Sequence, residues 1–125
     1  MTICNISVSI GELWDKYTIL LIKLNKISDE NKLSFINTEI NLLKNHLETY
    51  KLNGDIFDEL KNCNEKLWNI EDKLREKEKK KEFDREFIEL ATLVYFTNDN
   101  RASIKKKNNT VLNSTIYEIK SYEDY

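Results

Sequence analysis

The chain has no proline, only two glycines and a single histidine in 125 residues. With 34% charged residues alongside, that shortage of turn formers argues against a β fold built on many tight turns and in favour of long helices. The two cysteines, Cys4 and Cys63, fit no CxxC spacing and read as reduced thiols in a cytoplasmic protein. A lone histidine, His46, leaves zinc sites and Ser-His-Asp or Cys-His mechanisms without their parts, so no metal is expected. Gly11 and Gly54 stand apart from any phosphate loop or dinucleotide fingerprint, and no cofactor is expected either. "YTILLI" is the longest apolar run of the first predicted helix, far short of the roughly 20 residues a membrane span needs. A secretory leader, with its basic segment followed by an apolar block, is also missing. The formal net charge is −2, so no overall basic field draws nucleic acid, and "IKKKNN" is a modest patch.

What is present suffices for a core. Hydrophobic residues make up 40% of the chain, including two Trp, six Tyr and five Phe, enough for a single domain over 1–125 that buries roughly two thirds of its unfolded surface. Ser9 and Glu12 form a capping-box signature. A helix over about 10–27 follows, with Leu13, Tyr17, Leu20, Leu24 and Ile27 on one face; Ile19 and Ile22 on the other predict burial around much of its circumference. "SDEN" is a turn and cap. A second helix, about 30–51, carries Leu33, Ile36, Ile40, Leu43 and Leu47 in an unbroken seam. "NGD" reverses the chain, with Gly54 suited to a left-handed position and Asp55 to a cap. A third helix, about 56–80, has Ile56, Leu60, Cys63, Leu67, Ile70 and Leu74 in heptad spacing. Two seams around a short turn predict an antiparallel coiled-coil hairpin of helices 2 and 3. A fourth helix starts near Asp84 and could run to about 112. "TICNISVS" and the tail "STIYEIKSYEDY" alternate like strands and could pair. The expected class is mainly all-α: a four-helix bundle-like domain with short extended ends.

In the fourth helix, an apolar stripe turns polar. Leu90, Ala91 and Val94 share an arc with Phe87, and Asn98, Arg101, Ala102, Lys105, Asn108, Asn109 and Leu112 continue it. Asn64 and Glu71 similarly fall inside the apolar arc of the third helix, Asp15 interrupts the first, and Lys16 and Lys23 flank its apolar face. An unpaired buried charge costs several kcal/mol. Three arrangements answer that cost. The helix could break at "TNDN"; the groups could close a structural network, such as Glu71 with Arg101 and Lys105; or Lys16, Lys23, Arg101 and Lys105 could present cationic donors to an anion, oriented by Glu71 and Asn98. Lys outnumbers Arg 17 to 3, and Arg offers a planar fork that Lys lacks, which singles out Arg101.

Four ordered blocks, "SIGELWDKYTILLIK", "NEKLWNIEDKLR", "FIELATLVYFTNDNRASIK" and "EIKSY", together resemble a widespread family of small helical proteins classed as a domain of unknown function. The resemblance implies that Asp15, Lys16, Thr18, Lys23, Asn64, Trp68, Glu71, Asp72, Asn98, Asp99, Arg101, Lys105, Lys120, Ser121 and Tyr122 match characteristic positions. Thr92 and Ile119 depart from the pattern, where a basic and an acidic residue would be expected. The family supplies positions and no reaction.

Two functions remain open. One is a pocket for a phosphate- or carboxylate-bearing metabolite, using Asp15, Lys16, Lys23, Asn64, Glu71, Asn98, Arg101 and Lys105, with Glu71 or Asp99 as general base if chemistry occurs. The other is a module that docks on a second copy or on a helical partner protein, its polar groups closed in a structural network.

Overall fold

A computed structural model describes residues 2–125. Four helices account for the architecture: α1 (Ile10–Lys26), α2 (Glu30–Thr49), α3 (Gly54–Lys80) and α4 (Arg85–Val111). Each starts on a side chain that accepts a free amide. Ser9 accepts from Glu12, Asp29 from Lys32, Asn53 from Asp55 and Asp84 from Phe87. Gly54 is the first residue of α3 and not a left-handed reversal point; no glycine has positive φ. The Asn53 side chain does the capping expected of Asp55. α3 ends at Lys81, which takes the left-handed conformation at φ 55°.

The first helix is the centre of the bundle. One side, through Leu20, meets Ile36 and Ile40 of α2, with Leu24, Ile27, Leu33 and Leu43 around them. The other side, through Trp14, meets Ile56, Leu60 and Cys63 of α3 and Ile104 of α4. Trp14 also donates its indole N–H to the Tyr50 carbonyl at 2.7 Å, which binds the end of α2 to this second cluster. α3 and α4 run antiparallel and form the most extensive helix pair. Lys77 clasps their turn, reaching Asp84 at 2.8 Å and Glu86 at 3.1 Å.

The expected hairpin of helices 2 and 3 does not form. Among the described residues α2 packs on α1 alone among the helices, and the hairpin is made by α3 and α4. Heptad spacing shows that a helix has a seam, not which neighbour fills it. Here α1 is apolar on two sides and takes one seam on each, as the positions of Leu20 and Ile22, both buried, require. α4 is continuous through 97–100, so no break occurs at "TNDN". The terminal segments also depart from expectation: no strand occurs among the described residues, and the two ends do not pair. No described helix is long and apolar enough to cross a membrane.

Candidate functional site

Helix α1 lies antiparallel to the second half of α4, and polar contacts mark the whole seam. At the start of α1, free amides are met by α4 and the residues just after it. Ser114 Oγ accepts from Ile10 N at 3.2 Å and Asn109 Oδ1 from Gly11 N at 2.6 Å. This close approach explains Gly11, because a Cβ there would lie 2.6 Å from the Lys105 carbonyl oxygen. One turn on, the Lys105 ammonium donates to Glu12 at 2.8 Å and to Glu118 of the tail at 2.7 Å, with Asp15 at 3.7 Å. A further turn brings Arg101 onto Asp15 as a two-pronged pair, Nε to Oδ1 at 2.9 Å and Nη2 to Oδ2 at 2.5 Å.

Asp15 is the hub. It is 1% exposed and also accepts from Asn64 Nδ2 at 3.0 Å, while the same amide reaches Thr18 Oγ1 at 2.9 Å. Burial pushes the Asp15 carboxyl up, but the hydrogen bonds from Arg101 and Asn64 and the charges of Arg101 and Lys105 together hold it below its ordinary value. The Asp15 hydrogen bond raises Arg101 above its usual value. Burial alone would lower Lys105; Glu118 and Glu12 overcome it, and the ammonium is held above its usual value. The inward charges therefore satisfy one another. Lysine and arginine each face carboxylates, and none is left alone in the core.

The structural network expected from sequence named the wrong acid. Glu71 pairs with Arg75 at 3.3 Å, while Asp15, Glu12 and Glu118 serve Arg101 and Lys105. Lys16 points outward to Glu39 at 3.4 Å, and Lys23 is half-buried outside the network. Asn98 is half-buried on α4. Asp99 is exposed and accepts the hydroxyl of Tyr125, whose ring packs on Tyr95 and Phe96. Glu71 and Asp99 consequently occupy different surroundings and share no site. Of the family-pattern positions, Asp15, Thr18, Asn64, Arg101 and Lys105 come together.

Three participants were passed over in sequence. Glu12 reads as a cap, yet it lies one turn before Asp15 on the same face. Gly11 carries a usable signal, since a glycine inside a helix costs about 1 kcal/mol against alanine and asks for a reason. Glu118 sits in a segment with no helical period to place it.

Beside this network lies a cavity of about 300 Å³ between α1, α3 and α4. Arg101 and Asn64 form one end, Trp68, Leu67, Ile19 and Ile22 the apolar walls, and Glu71, Asp72 and Arg75 the other end. Trp68 and Asp72 are one and two turns along α3 from Asn64, so the polar ends are on the order of 12 Å apart. Asp15 takes only the Nε and Nη2 edge of Arg101, a side chain still 25% exposed. A guanidinium has five N–H donors, and those not spent on Asp15 remain for a ligand. A second cavity, about 270 Å³, lies between α4 and the tail around Ser103, Lys106, Tyr117 and Lys120.

Comparison with family models, with curated proteins and with solved structures finds no match to this chain.

Proposed function

We propose that the chain binds a small molecule with one anionic group, carboxylate or phosphate, in the cavity between α1, α3 and α4. The supporting observation is Arg101, held rigidly by Asp15 on one edge while it lines the cavity beside Trp68. A preorganised fork of this kind suits two-oxygen recognition and loses little freedom on binding. Two arginines and two carboxylates line the cavity, so its own field is balanced. Affinity must then come from directed hydrogen bonds and from an apolar body laid against Trp68, Leu67, Ile19 and Ile22. Of the pocket residues expected from sequence, Asn64, Glu71 and Arg101 line this cavity, whereas Lys16 pairs with Glu39 and Lys105 with Glu12 and Glu118. The proposal is one of binding: of the two acids that the sequence offers as general base, Glu71 is paired with Arg75 and Asp99 is not among the residues that line the cavity. A cytoplasmic setting belongs to the same proposal and rests on Cys4 and Cys63 being free thiols.

Arg101→Ala is a poor test, because it would strand the buried Asp15 carboxylate. Two milder variants serve. Titration with a panel of small carboxylates and phosphates, followed by NMR, should shift the Trp68 indole and the Arg101 Nε resonances together. Trp68→Leu and Arg101→Lys should each weaken that binding at least tenfold while the helical spectrum is kept. If millimolar ligand moves neither resonance, the proposal fails.

The alternative, a self-assembly or partner-docking module with a closed network, is favoured by one observation. Lys105 has three carboxylates within 3.7 Å, an arrangement complete without any ligand.

A further inference from the structure

Helix α3 presents three unlike groups in a row to the cavity beside the network. Asn64, Trp68 and Asp72 are each one helical turn from the next, so an amide, an indole and a carboxylate succeed one another along one side of the helix. α1 adds Ile19 and Ile22, and α4 adds Arg101 at the Asn64 end.

The two ends differ in what their charges have left to do. At the Asn64 end, Arg101 keeps donors beyond the two it gives to Asp15, so this end takes an anion. At the other end Glu71 is paired with Arg75 at 3.3 Å, and the Arg75 side chain is 77% exposed. Asp72 is exposed and makes neither an ion pair nor a side-chain hydrogen bond among the described residues. No lysine among the described residues lines this cavity. The Asp72 carboxylate is therefore the one charge on the wall without a partner. A ligand long enough to reach it gains by carrying a cation there and loses by carrying a second anion.

We propose that the ligand of this cavity is bipolar: an anionic group on Arg101, a flat apolar body along Trp68 and a cationic group, an amine or amidine, at Asp72. This rests on anion binding at Arg101 and adds the sign of charge at the second end. The polar ends are on the order of 12 Å apart along α3. A hydrogen bond of about 3 Å at each end leaves roughly 6 Å between the charged groups of the ligand, about the length of one para-substituted benzene ring. Such a cavity refuses two kinds of near relative, since a dianion meets Asp72 with the wrong sign and a diamine meets Arg101 with the wrong sign. Because Asp72 is exposed, water and salt screen its pull, and it acts on choice more than on strength.

Three rigid probes separate the ends. At neutral pH p-toluate carries the anion alone, p-(aminomethyl)benzoate adds the cation, and terephthalate puts a second anion in its place. NMR titration of the full chain at low salt, followed at the Trp68 indole and Arg101 Nε, should rank p-(aminomethyl)benzoate about threefold ahead of p-toluate, with terephthalate behind both. Asp72→Asn should abolish that advantage with the helical spectrum intact, because the side chain holds no partner in the fold. Molar salt should abolish it too. If p-toluate binds and p-(aminomethyl)benzoate gains nothing over it, or if the gain survives Asp72→Asn, the bipolar assignment is overturned while anion binding at Arg101 stands. If no probe moves either resonance, anion binding itself fails and the bipolar assignment falls with it.

Discussion

The two halves of α4 exchange the surroundings their side chains would suggest. Residues 85–96 are mostly apolar, yet only Leu90 among them is buried, and Ile88, Leu93, Tyr95 and Phe96 stand exposed. The second half is mostly polar, yet Thr97, Ile104, Lys105, Asn108 and Asn109 are buried. The cause lies in the neighbours. The hydrogen bonds and ion pairs from α1 to α4 begin at Arg101, while the first half of α4 leans on α3 and on the ring of Tyr125. Burial here follows what covers a helix and not how greasy it is. The polar half can be covered only because its charges arrive already paired.

The sharpest way to break this contrast is Asp15→Ala. It leaves Arg101 and Lys105 facing a hole, and it should cost about 3–5 kcal/mol in chemical denaturation. The pH dependence has two limbs. Asp15 and Glu118 are held below their ordinary values of 3.8 and 4.5. Their contribution is complete above those values and is lost as pH falls through the lower folded ones. Lys105 is held above 10.5, so its contribution is complete below that pH and is lost as pH rises through the folded value. Stability measured against pH should therefore fall below about pH 4 and again above about pH 10.5, and Asp15→Asn should flatten the acid limb.

Gly11→Ala tests the closeness of the same seam. With 2.6 Å to a backbone oxygen, one helix must move, and a loss of about 1–3 kcal/mol is expected by the same measurement. Asn108→Leu should act in the opposite direction. Asn108 is fully buried and neither polar atom of its side chain has a partner. An apolar group of similar size should raise stability by about 1 kcal/mol or more, seen as a higher Tm. The smallest effect belongs to the apolar half. Ile88→Ser, on an exposed face, should change stability by less than about 0.5 kcal/mol; a larger loss would mean that something covers that face in solution.

Much of the helical frame was legible in the sequence. The Ser9 capping box, the turns at "SDEN" and "NGD", and the periodicity between them place four helices within a few residues of their observed ends. The polar arc of α4 was legible for the same reason, since a helical wheel carries Arg101, Lys105 and Asn108 inward with Leu90. Partner choice was not. Leu33, Ile36 and Ile40 advertise a seam to any apolar neighbour, and only the two-sided shape of α1 assigns it. The acids that answer Arg101 and Lys105 were hidden likewise, because Glu12 and Glu118 lie on different elements 106 positions apart and no local pattern links them.

The capped start of α1 also bears on how the chain matures. Its first two amides are met by Ser114 and Asn109, groups 104 and 98 residues downstream. During synthesis the central helix must therefore wait for nearly everything else before its own first turn is secured. Contacts so distant along the chain slow folding. Until they close, the two apolar flanks of α1 lack the neighbours that cover them in the folded bundle.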